Sequence, residues 1–278
     1  MANINSLPLT GEAATWLAGQ ALKSVVQVED GGRGAGAGVV VDQRGVIVTN
    51  AHVVRGRAAT ITTSAGARLE GRVEARDDAL DLAVIRVEHD DLQALGNGDS
   101  QALRPGQIVL AIGHPLGLHD AVTVGIVSRP PAPDDRRELI ASNITLNHGN
   151  SGGPLLDASG RLIGINAMVA GPGLGLAIPV HTVQRFLAQH VDPRPHIGVT
   201  VQQIDGGLIV TDVQPESPAE AAGILPGDII VAISGRPADR VTSLLDGLVE
   251  AGIGGSLAVD LERATAPVSV TATVVAKA

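Results

Sequence analysis

The feature of this sequence that most limits its possible folds is a long succession of short apolar segments separated by Gly, Asp and Pro. The succession runs from residue 25 to about residue 177, and its members include AGVVV, GVIVT, LAVIRV, IVLAIG, AVTVGIVS and GLAI. Short apolar runs bounded by turn residues predict β-strands, and their close spacing disfavours helices between them. We therefore expect an antiparallel sandwich or barrel rather than βαβ units.

The composition indicates a folded chain with an aliphatic interior. Hydrophobic residues make up 44% and charged residues 18% of the 278 residues, a balance typical of globular domains rather than disordered chains. Trp16 and Phe186 are the whole complement of Trp, Tyr and Phe, so Val, Ile, Leu and Ala must build the core. The length is sufficient for two domains.

The charge and the aromatic content argue against nucleic acid as a partner. The net charge is −9, whereas binding to a phosphate backbone needs a clustered basic surface. The scarcity of aromatic side chains also removes the platforms on which single-stranded bases stack. We expect no nucleic-acid binding.

Four regions follow from the pattern along the chain. Residues 1–22 form an N-terminal segment with a short amphipathic helix over residues 9–22. Residues 23–190 hold the strand-rich region and end in a predicted helix, HTVQRFLAQH. The two prolines of VDPRP predict a stiff linker at 191–195. Residues 196–278 alternate strand-like pieces with two helical ones, PAEAAG and SLLDGLVEAG, and are expected to form a small α+β domain.

Two absences bear on the cellular setting. The chain has no cysteine, which excludes disulfides and thiolate nucleophiles but suits either redox compartment. The N-terminus has no basic segment followed by an apolar run, so we expect no signal peptide. The protein would then be cytoplasmic if the sequence is the whole natural chain, and extracytoplasmic or periplasmic if it has been trimmed.

No membrane span is expected. The longest uncharged stretch, residues 162–180, contains four glycines and two prolines. Those residues predict two strands around a turn rather than a membrane helix.

Three stretches supply the parts that nucleophilic catalysis by a serine requires. A serine nucleophile needs a base to accept its proton, a group to orient that base, and amide donors for the developing oxyanion. VTNAHVV carries His52, DALDLAVIRV carries Asp81, and HGNSGGP carries Ser151. The glycines beside Ser151 allow backbone amides to approach one point closely. Each of these residues alone also has an ordinary structural explanation in a turn or at the end of a strand.

Other motifs suggest rival chemistries. GNSGG at 149–153 fits the nucleophile elbow of α/β-hydrolases, but Pro154 disfavours the helix that must follow the serine. GGRGAGAG at 31–38 is similar to a dinucleotide-binding loop, but a strand follows it where a helix is required. A metal site is not expected, because no ligand-like spacing relates the candidate side chains, which are His114, His119, Asp120 and His148.

The order His, Asp, Ser and the surrounding residues resemble the trypsin fold, and specifically the HtrA (DegP-like) serine proteases. The resemblance extends through IGHPLG at 112–117, VTVGIVS at 122–128 and GLAIP at 175–179. It implies a mainly β protease domain of two β-barrels, with a substrate cleft between them and no cofactor.

The resemblance also implies the roles of the site residues. Ser151 would be the nucleophile, His52 the general base and then the general acid, and Asp81 the residue that orients His52. The amides of Gly149 and Ser151 would form the oxyanion hole.

The same resemblance implies, from single positions, which residues the protease cleaves after and how it is activated. Thr145, six residues before Ser151, would lie at the base of the primary specificity pocket, which implies cleavage after small aliphatic residues. Asn150 replaces the aspartate of trypsinogen-like zymogens, so activation by propeptide removal is not expected. His148 stands where the family commonly has proline, and it is either a surface residue or a source of pH sensitivity.

The C-terminal region resembles a PDZ domain, most specifically through VQPESPAEAAGILPGDIIVAISGRPA at 213–238. PDZ domains bind an extended peptide as an added strand and its terminal carboxylate through a glycine loop. The resemblance assigns that loop to His196, Ile197, Gly198 and Val199, and the side-chain pocket to Leu244, Leu245 and Leu248. A domain that only packs against the protease is the alternative.

Taken together, the sequence predicts a serine endopeptidase of protein quality control that cleaves unfolded or misfolded polypeptides and is regulated by peptides at its PDZ domain. The alternative is an inactive or chaperone-like PDZ scaffold. The resemblance further implies a homotrimer, in which the helix carrying Trp16 contributes to the contact.

Overall fold

The computed structural model describes residues 11–31, 35–89, 91–114, 121–132, 138–146, 149–171, 173–191 and 193–277. The chain divides into two compact units, one ending at Val183 and one beginning at Gln184. The division lies inside a helix, whereas the sequence predicts the linker at 191–195.

The first unit begins with a helix, α1 (Gly11–Leu22), over most of the residues predicted to be helical. Leu17, Ala18 and Ala21 are buried, whereas the Trp16 side chain is 60% exposed. Twelve strands follow: β1 (Val25–Glu29), β2 (Ala35–Asp42), β3 (Val46–Thr49), β4 (Ala58–Thr62), β5 (Arg68–Asp77), β6 (Leu82–Val87), β7 (Ile108–Gly113), β8 (Ala121–Arg129), β9 (Ile140–Ser142), β10 (Pro154–Asp157), β11 (Leu162–Gly171) and β12 (Leu174–Pro179). They lead into α2 (Val180–His190).

These strands close into two antiparallel six-stranded barrels, which confirms the predicted double β-barrel. The first has the order β1-β2-β3-β6-β5-β4 and the second the order β10-β11-β12-β9-β8-β7. Their cores are aliphatic, as the composition requires, with Ile47, Ile61 and Ile85 fully buried in the first barrel. Val109, Ile140 and Leu155 are members of the second core.

The uncharged stretch at 162–180 forms β11, β12 and the start of α2, which confirms the predicted pair of strands. Among the described residues, no helix has the length and apolarity that crossing a membrane requires.

The second unit is a small α+β domain. Its strands are β13 (Pro195–His196), β14 (Val199–Ile204), β15 (Gly207–Val213), β16 (Ile229–Ile233), β17 (Arg236–Pro237), β18 (Ser256–Arg263), β19 (Ala266–Thr273) and β20 (Val275–Ala276). The helices α3 (Pro218–Ala221) and α4 (Val241–Ala251) lie at the two predicted helical pieces. The main sheet has the order β14-β15-β16-β18-β19, so β14 is an edge strand.

Candidate active site

The residues predicted to carry the chemistry lie in turns at the ends of barrel strands. His52 follows β3 and Asp81 directly precedes β6, and these two strands are neighbours in the first barrel. Ser151 lies in the turn before β10 of the second barrel. The His52 side chain is exposed, and Asp81 and Ser151 are partly exposed.

His52 and Asp81 are in direct contact. The Nδ1 atom of His52 is 3.0 Å from Oδ1 and 2.9 Å from Oδ2 of Asp81. The backbone N–H of His52 also donates to Oδ1 of Asp81, at 3.1 Å. Since a carboxylate only accepts hydrogen bonds, Nδ1 must carry the proton, and Nε2 of the neutral ring is left as an acceptor.

The Ser151 turn depends on glycine. Gly149 has φ 101° and Gly152 has φ 83°, values that disfavour any residue with a Cβ. Backbone bonds close the turn, with Gly153 N–H donating to Asn150 O at 3.1 Å and Gly152 N–H donating to Asn166 O at 2.9 Å. The strand β10 follows immediately. The helix that an α/β-hydrolase elbow would need is therefore absent at this serine, and that rival interpretation fails.

A short relay of hydrogen bonds joins the two barrels at this turn. Ala37 of β2 donates its N–H to Ser151 O at 2.8 Å, and its own carbonyl accepts from Thr49 Oγ1 at 2.7 Å. A Cβ on Gly152 would collide with Ala37 O and Thr49 Oγ1. The Ser151 turn is thus held against the strand that leads to His52.

Gly36 shows how closely the histidine turn and the serine turn approach each other. A Cβ on Gly36 would lie 2.8 Å from the Val53 side chain and 2.9 Å from Ser151 O. Val53 is the neighbour of His52, so both turns contact the same side of this one glycine.

The Ser151 hydroxyl donates to the Ala167 carbonyl at 3.1 Å. Among the described residues, this is the hydrogen bond that its side chain makes, and none joins it to His52. The structure therefore brings the His52–Asp81 pair and the Ser151 turn to one place with the hydroxyl directed at β11.

The predicted oxyanion loop is described only in part, because Asn147 and His148 lie outside the described residues. Gly149 O accepts a hydrogen bond from His114 N–H at 3.0 Å. A Cβ on Gly113 would lie 2.7 Å from Asn150 Cα, so the end of β7 passes directly beside the Ser151 turn.

The predicted specificity position, Thr145, is exposed, whereas its neighbours Ile144 and Leu146 are buried. Gly175 of β12 packs against these neighbours. A Cβ on Gly175 would lie 2.6 Å from Ile144 O and 3.1 Å from Leu146 Cγ. Ile144 and Leu146 thus belong to the core of the second barrel, whereas Thr145 between them faces outward.

In the second unit, the predicted carboxylate loop is anchored to the start of α3. Ile197 O accepts from Ala219 N–H at 2.9 Å, and Gly198 O accepts from Gln214 N–H at 2.8 Å. Gly198 has φ 86°, and a Cβ there would collide with the side chain of Ser217, the N-cap of α3. His196 instead belongs to β13 and pairs with Val275.

The predicted pocket residues on α4 differ in exposure. Leu244 and Leu248 are buried in the domain core, whereas Leu245 is partly exposed. Val199 and Val201 of β14 pack against the same core.

An ion pair with a buried carboxylate closes the turn before β16. Asp228 is 1% exposed, and its Oδ1 and Oδ2 accept from Nε and Nη2 of Arg263 at 2.7 and 2.8 Å. The hydrogen bond from Arg263, aided by Leu225 N–H, holds the pKa of Asp228 below its ordinary value. In the first barrel, the hydrogen bond from Arg44 lowers the pKa of Asp42 in the same way.

Of the residues considered for a metal, His119, Asp120 and His148 lie outside the described residues. The described part of the chain holds no group of three or more His, Cys, Asp or Glu side chains placed to bind a metal ion.

Sequence reasoning missed four residues that organise the site: Ala37, Thr49, Asn50 and Ala167. Thr49 and Asn50 lie in the VTNAHVV motif, so their closeness to His52 in the sequence could have indicated a role in the site. Ala37 and Ala167 act through backbone groups, which no side-chain pattern identifies.

A family model described as "Trypsin-like peptidase domain" matches residues 36–165, and one described as "PDZ domain" matches residues 195–274.

The chain is similar to two proteins of Synechocystis sp. (strain ATCC 27184 / PCC 6803 / Kazusa). It is 34% identical to HhoB over 84% of this chain and 65% of HhoB, and 36% identical to HhoA over 86% of this chain and 70% of HhoA. It is 33% identical to the serine protease HTRA3 of Homo sapiens over 73% of this chain and 53% of HTRA3. The chain thus spans about half to about two thirds of the length of these relatives.

Among solved structures, the serine endoprotease from Yersinia pestis is 30% identical, with a TM-score of 0.60. That comparison covers 98% of this chain and 100% of the other.

Proposed function

The chain belongs to the HtrA family of trypsin-fold serine proteases, and from that premise we propose that it is an endopeptidase that hydrolyses unfolded or misfolded polypeptides through Ser151, His52 and Asp81. The observation that carries the proposal is the contact of His52 Nδ1 with both carboxylate oxygens of Asp81, beside a serine turn held against the same barrel.

The proposed mechanism uses each atom of this arrangement. The Ser151 hydroxyl turns from the Ala167 carbonyl to Nε2 of His52, which accepts its proton as Oγ attacks the scissile carbonyl. The Asp81 carboxylate stabilises the imidazolium that results. His52 then donates the proton to the leaving amine, and water hydrolyses the acyl-enzyme by the reverse sequence of proton transfers.

The developing oxyanion is proposed to bind the amides of Gly149 and Ser151. Loss of one such donor typically costs about 3 to 4 kcal/mol of transition-state stabilisation. Gly149 has a positive φ, which glycine adopts far more readily than other residues. The proposed oxyanion hole is a mechanistic reason for a glycine at this position.

The proposed specificity is for small aliphatic residues on the amino side of the scissile bond. The segment GINAMVAG at 164–171 would line the pocket with small residues, and position 145 carries a hydroxyl rather than a carboxylate that could pair with Lys or Arg. Peptides with Ala or Val at that position should therefore be cleaved faster than peptides with Phe or Lys.

The PDZ domain is proposed to bind C-terminal peptides and to regulate the protease. Strand β14 is at the edge of its sheet, so its outer backbone groups are placed to pair with an added strand. Gly198 lies just before that edge strand, and the partly exposed Leu245 of α4 would contact the last side chain of the peptide.

A homotrimer and a role in protein quality control complete the proposal. The exposed indole of Trp16 on α1 is the contact proposed for assembly. Light scattering at micromolar concentration would give three times the mass of one chain, and a monomer would contradict this part.

The decisive experiment is Ser151→Ala, compared with the unmodified chain in casein hydrolysis and in labelling by a fluorophosphonate probe. Removing the nucleophile should lower kcat about 10⁶-fold and abolish labelling, with the fold retained by circular dichroism. Unchanged casein hydrolysis by the folded variant would reject Ser151 as the nucleophile.

One observation favours a second candidate, a peptide-binding scaffold with an inactive protease domain: the Ser151 hydroxyl is bonded to Ala167 O rather than to His52. Under that alternative, the unmodified folded chain would resist the fluorophosphonate even with an activating C-terminal peptide present. Labelling of Ser151 would exclude the scaffold.

A further inference from the structure

Asp81 has an unusual backbone. Its φ of 56° lies in the left-handed region, which residues with a Cβ occupy rarely and at a cost in conformational energy. Among the described residues of the first barrel, it is the only non-glycine residue with a positive φ. The direction in which the Asp81 side chain leaves the backbone depends on this conformation. A contact from a neighbouring residue is therefore needed to keep the Asp81 backbone at this φ.

Asn50 supplies a contact to that backbone. Its side-chain Nδ2 donates to the Asp81 carbonyl at 3.0 Å, and the residue is fully buried. Within the described part of the chain, Nδ2 makes this hydrogen bond and Oδ1 makes none. A buried amide is costly unless it is hydrogen-bonded, so the bond to Asp81 is what this polar side chain contributes.

The position of Asn50 explains why it reaches Asp81. The last paired residues of β3 and β6 are Thr49 and Ala83, and Asn50 is the next residue beyond that pair. The backbone of β3 turns away at this point, and the side chain of Asn50 continues the pairing with a bond to the chain that enters β6.

The same residue also holds the histidine turn. The backbone carbonyl of Asn50 accepts from Val53 N–H at 3.2 Å, which closes the turn that carries His52. One residue therefore contacts the segments that present both the imidazole and the carboxylate.

We infer that Asn50 is a positioning residue: its side-chain amide holds the Asp81 backbone in the left-handed conformation and so keeps the Asp81 carboxylate on the His52 imidazole. This inference rests on the catalytic roles proposed above for His52 and Asp81. Without the bond, Asp81 relaxes toward negative φ, and its carboxylate moves off Nδ1.

The first test is Asn50→Leu, which keeps the shape of the side chain and removes the donor. Kinetics on a fluorogenic peptide should show kcat lowered by about 10- to 100-fold with KM within about twofold, because only the orientation of the base is lost. Ile61→Val, a core change in the same barrel away from the site, is the control for lost stability and should leave kcat unchanged. Asn50→Ala replaces Asn50→Leu if the latter does not fold.

The second test asks whether Asn50 acts through Asp81. Asp81→Ala alone should lower kcat about 10⁴-fold. Adding Asn50→Leu to that variant should change kcat by less than about twofold, because the carboxylate to be positioned is gone. Independent, multiplicative effects would overturn the inference.

The third test is spectroscopic. In ¹⁵N-histidine-labelled protein, the proton on His52 Nδ1 should give a low-field signal that is lost or moved upfield in Asn50→Leu and kept in Ile61→Val. A signal unchanged in Asn50→Leu would overturn the inference. An active Ser151→Ala variant would instead overturn the proposed function, so the two failures are distinguishable.

Discussion

The chain contains two glycine turns of similar backbone geometry, one at Ser151 and one at the PDZ loop, and they differ in what holds them. Gly152 (φ 83°) packs against Ala37 and Thr49, which come from the other barrel. Gly198 (φ 86°) packs against Ser217, the N-cap of the helix α3 in the same small domain.

The difference indicates how each site is built. The serine turn is a junction between two closed barrels, so it forms only when both have folded and met. The PDZ loop is a local structure, since the strand, the loop and the helix cap all lie within one domain core. Changes at the first turn should therefore reach the whole catalytic arrangement, whereas changes at the second should remain within peptide binding.

The largest effect is expected from Gly152→Ala. Its Cβ would collide with Ala37 O and Thr49 Oγ1, so the barrels must separate locally. We expect the free energy of unfolding of the protease unit to fall by about 3 to 4 kcal/mol, and kcat/KM to fall at least about 1,000-fold.

The matched control for this prediction is Gly66→Ala. Gly66 has the same left-handed conformation (φ 84°) with no atom within 4 Å of its Cβ position, so only backbone strain of about 1 kcal/mol should appear. Equal losses of activity in the two variants would show that the contact between the barrels is not the cause of the lost activity. Urea unfolding measures the stability of both variants, and peptide hydrolysis measures their activity.

An intermediate effect is expected from Gly198→Ala. Its Cβ would meet the Ser217 side chain, and we expect a destabilisation of the PDZ domain by about 2 to 3 kcal/mol. Affinity for a C-terminal peptide, measured by fluorescence anisotropy, should fall at least about tenfold. Basal kcat without peptide should stay within about twofold.

Two further variants sharpen that prediction. Gly206→Ala has the same φ strain (87°) in open space and should leave peptide affinity nearly unchanged. Ser217→Gly should recover part of the stability lost in Gly198→Ala, because it removes the colliding side chain. A full loss of basal peptidase activity in Gly198→Ala would contradict the claim that changes at the PDZ loop affect only peptide binding.

The smallest effect is expected from Arg263→Ala in the PDZ domain. The variant leaves the buried Asp228 without its main partner, but Arg263 itself is 36% exposed, so we expect a loss of stability at pH 7 that is measurable yet smaller than the loss in Gly198→Ala. Since Arg263 lowers the pKa of Asp228 in the folded state, this stabilisation is present above the ordinary aspartate pKa of about 3.9. It is lost as the pH falls through the lowered pKa.

The measurement is urea unfolding at pH 7 and at pH 3, where the difference between Arg263→Ala and the unmodified chain should narrow. Arg44→Ala is the matched control, because its partner Asp42 also has a lowered pKa but Arg44 is 58% exposed. That variant should lose less than about 0.5 kcal/mol. A difference for Arg263→Ala that is independent of pH would contradict the assigned cause.

The positions of most strands and helices were predictable because local sequence patterns determine them. Short aliphatic runs bounded by Gly, Asp and Pro became the strands of both barrels, and the helices α2 and α4 formed at the predicted pieces. The pairing order of twelve strands into two closed barrels was not visible in those patterns, since strand partners are set by contacts between distant segments.

The candidate site divides in the same way. His52, Asp81 and Ser151 were identified from motif, order and resemblance, and the structure joins the first two by hydrogen bonds. The direction of the Ser151 hydroxyl toward Ala167 was not predictable, because its acceptor is a backbone carbonyl on another strand. Thr145 is exposed beside a buried neighbour, which its place in the motif did not indicate.

Local patterns in the amino-acid sequence specify which segments are strands, helices and turns, and which side chains are chemically able to act as nucleophile, base and acid. Only the tertiary structure decided that Asn50 holds the Asp81 carbonyl and that Ala37 joins Ser151 to the first barrel. The physical reason is the separation along the chain over which each interaction acts. Propensity and turn chemistry act over a few neighbouring residues, whereas these hydrogen bonds join groups that become neighbours only after the barrels close.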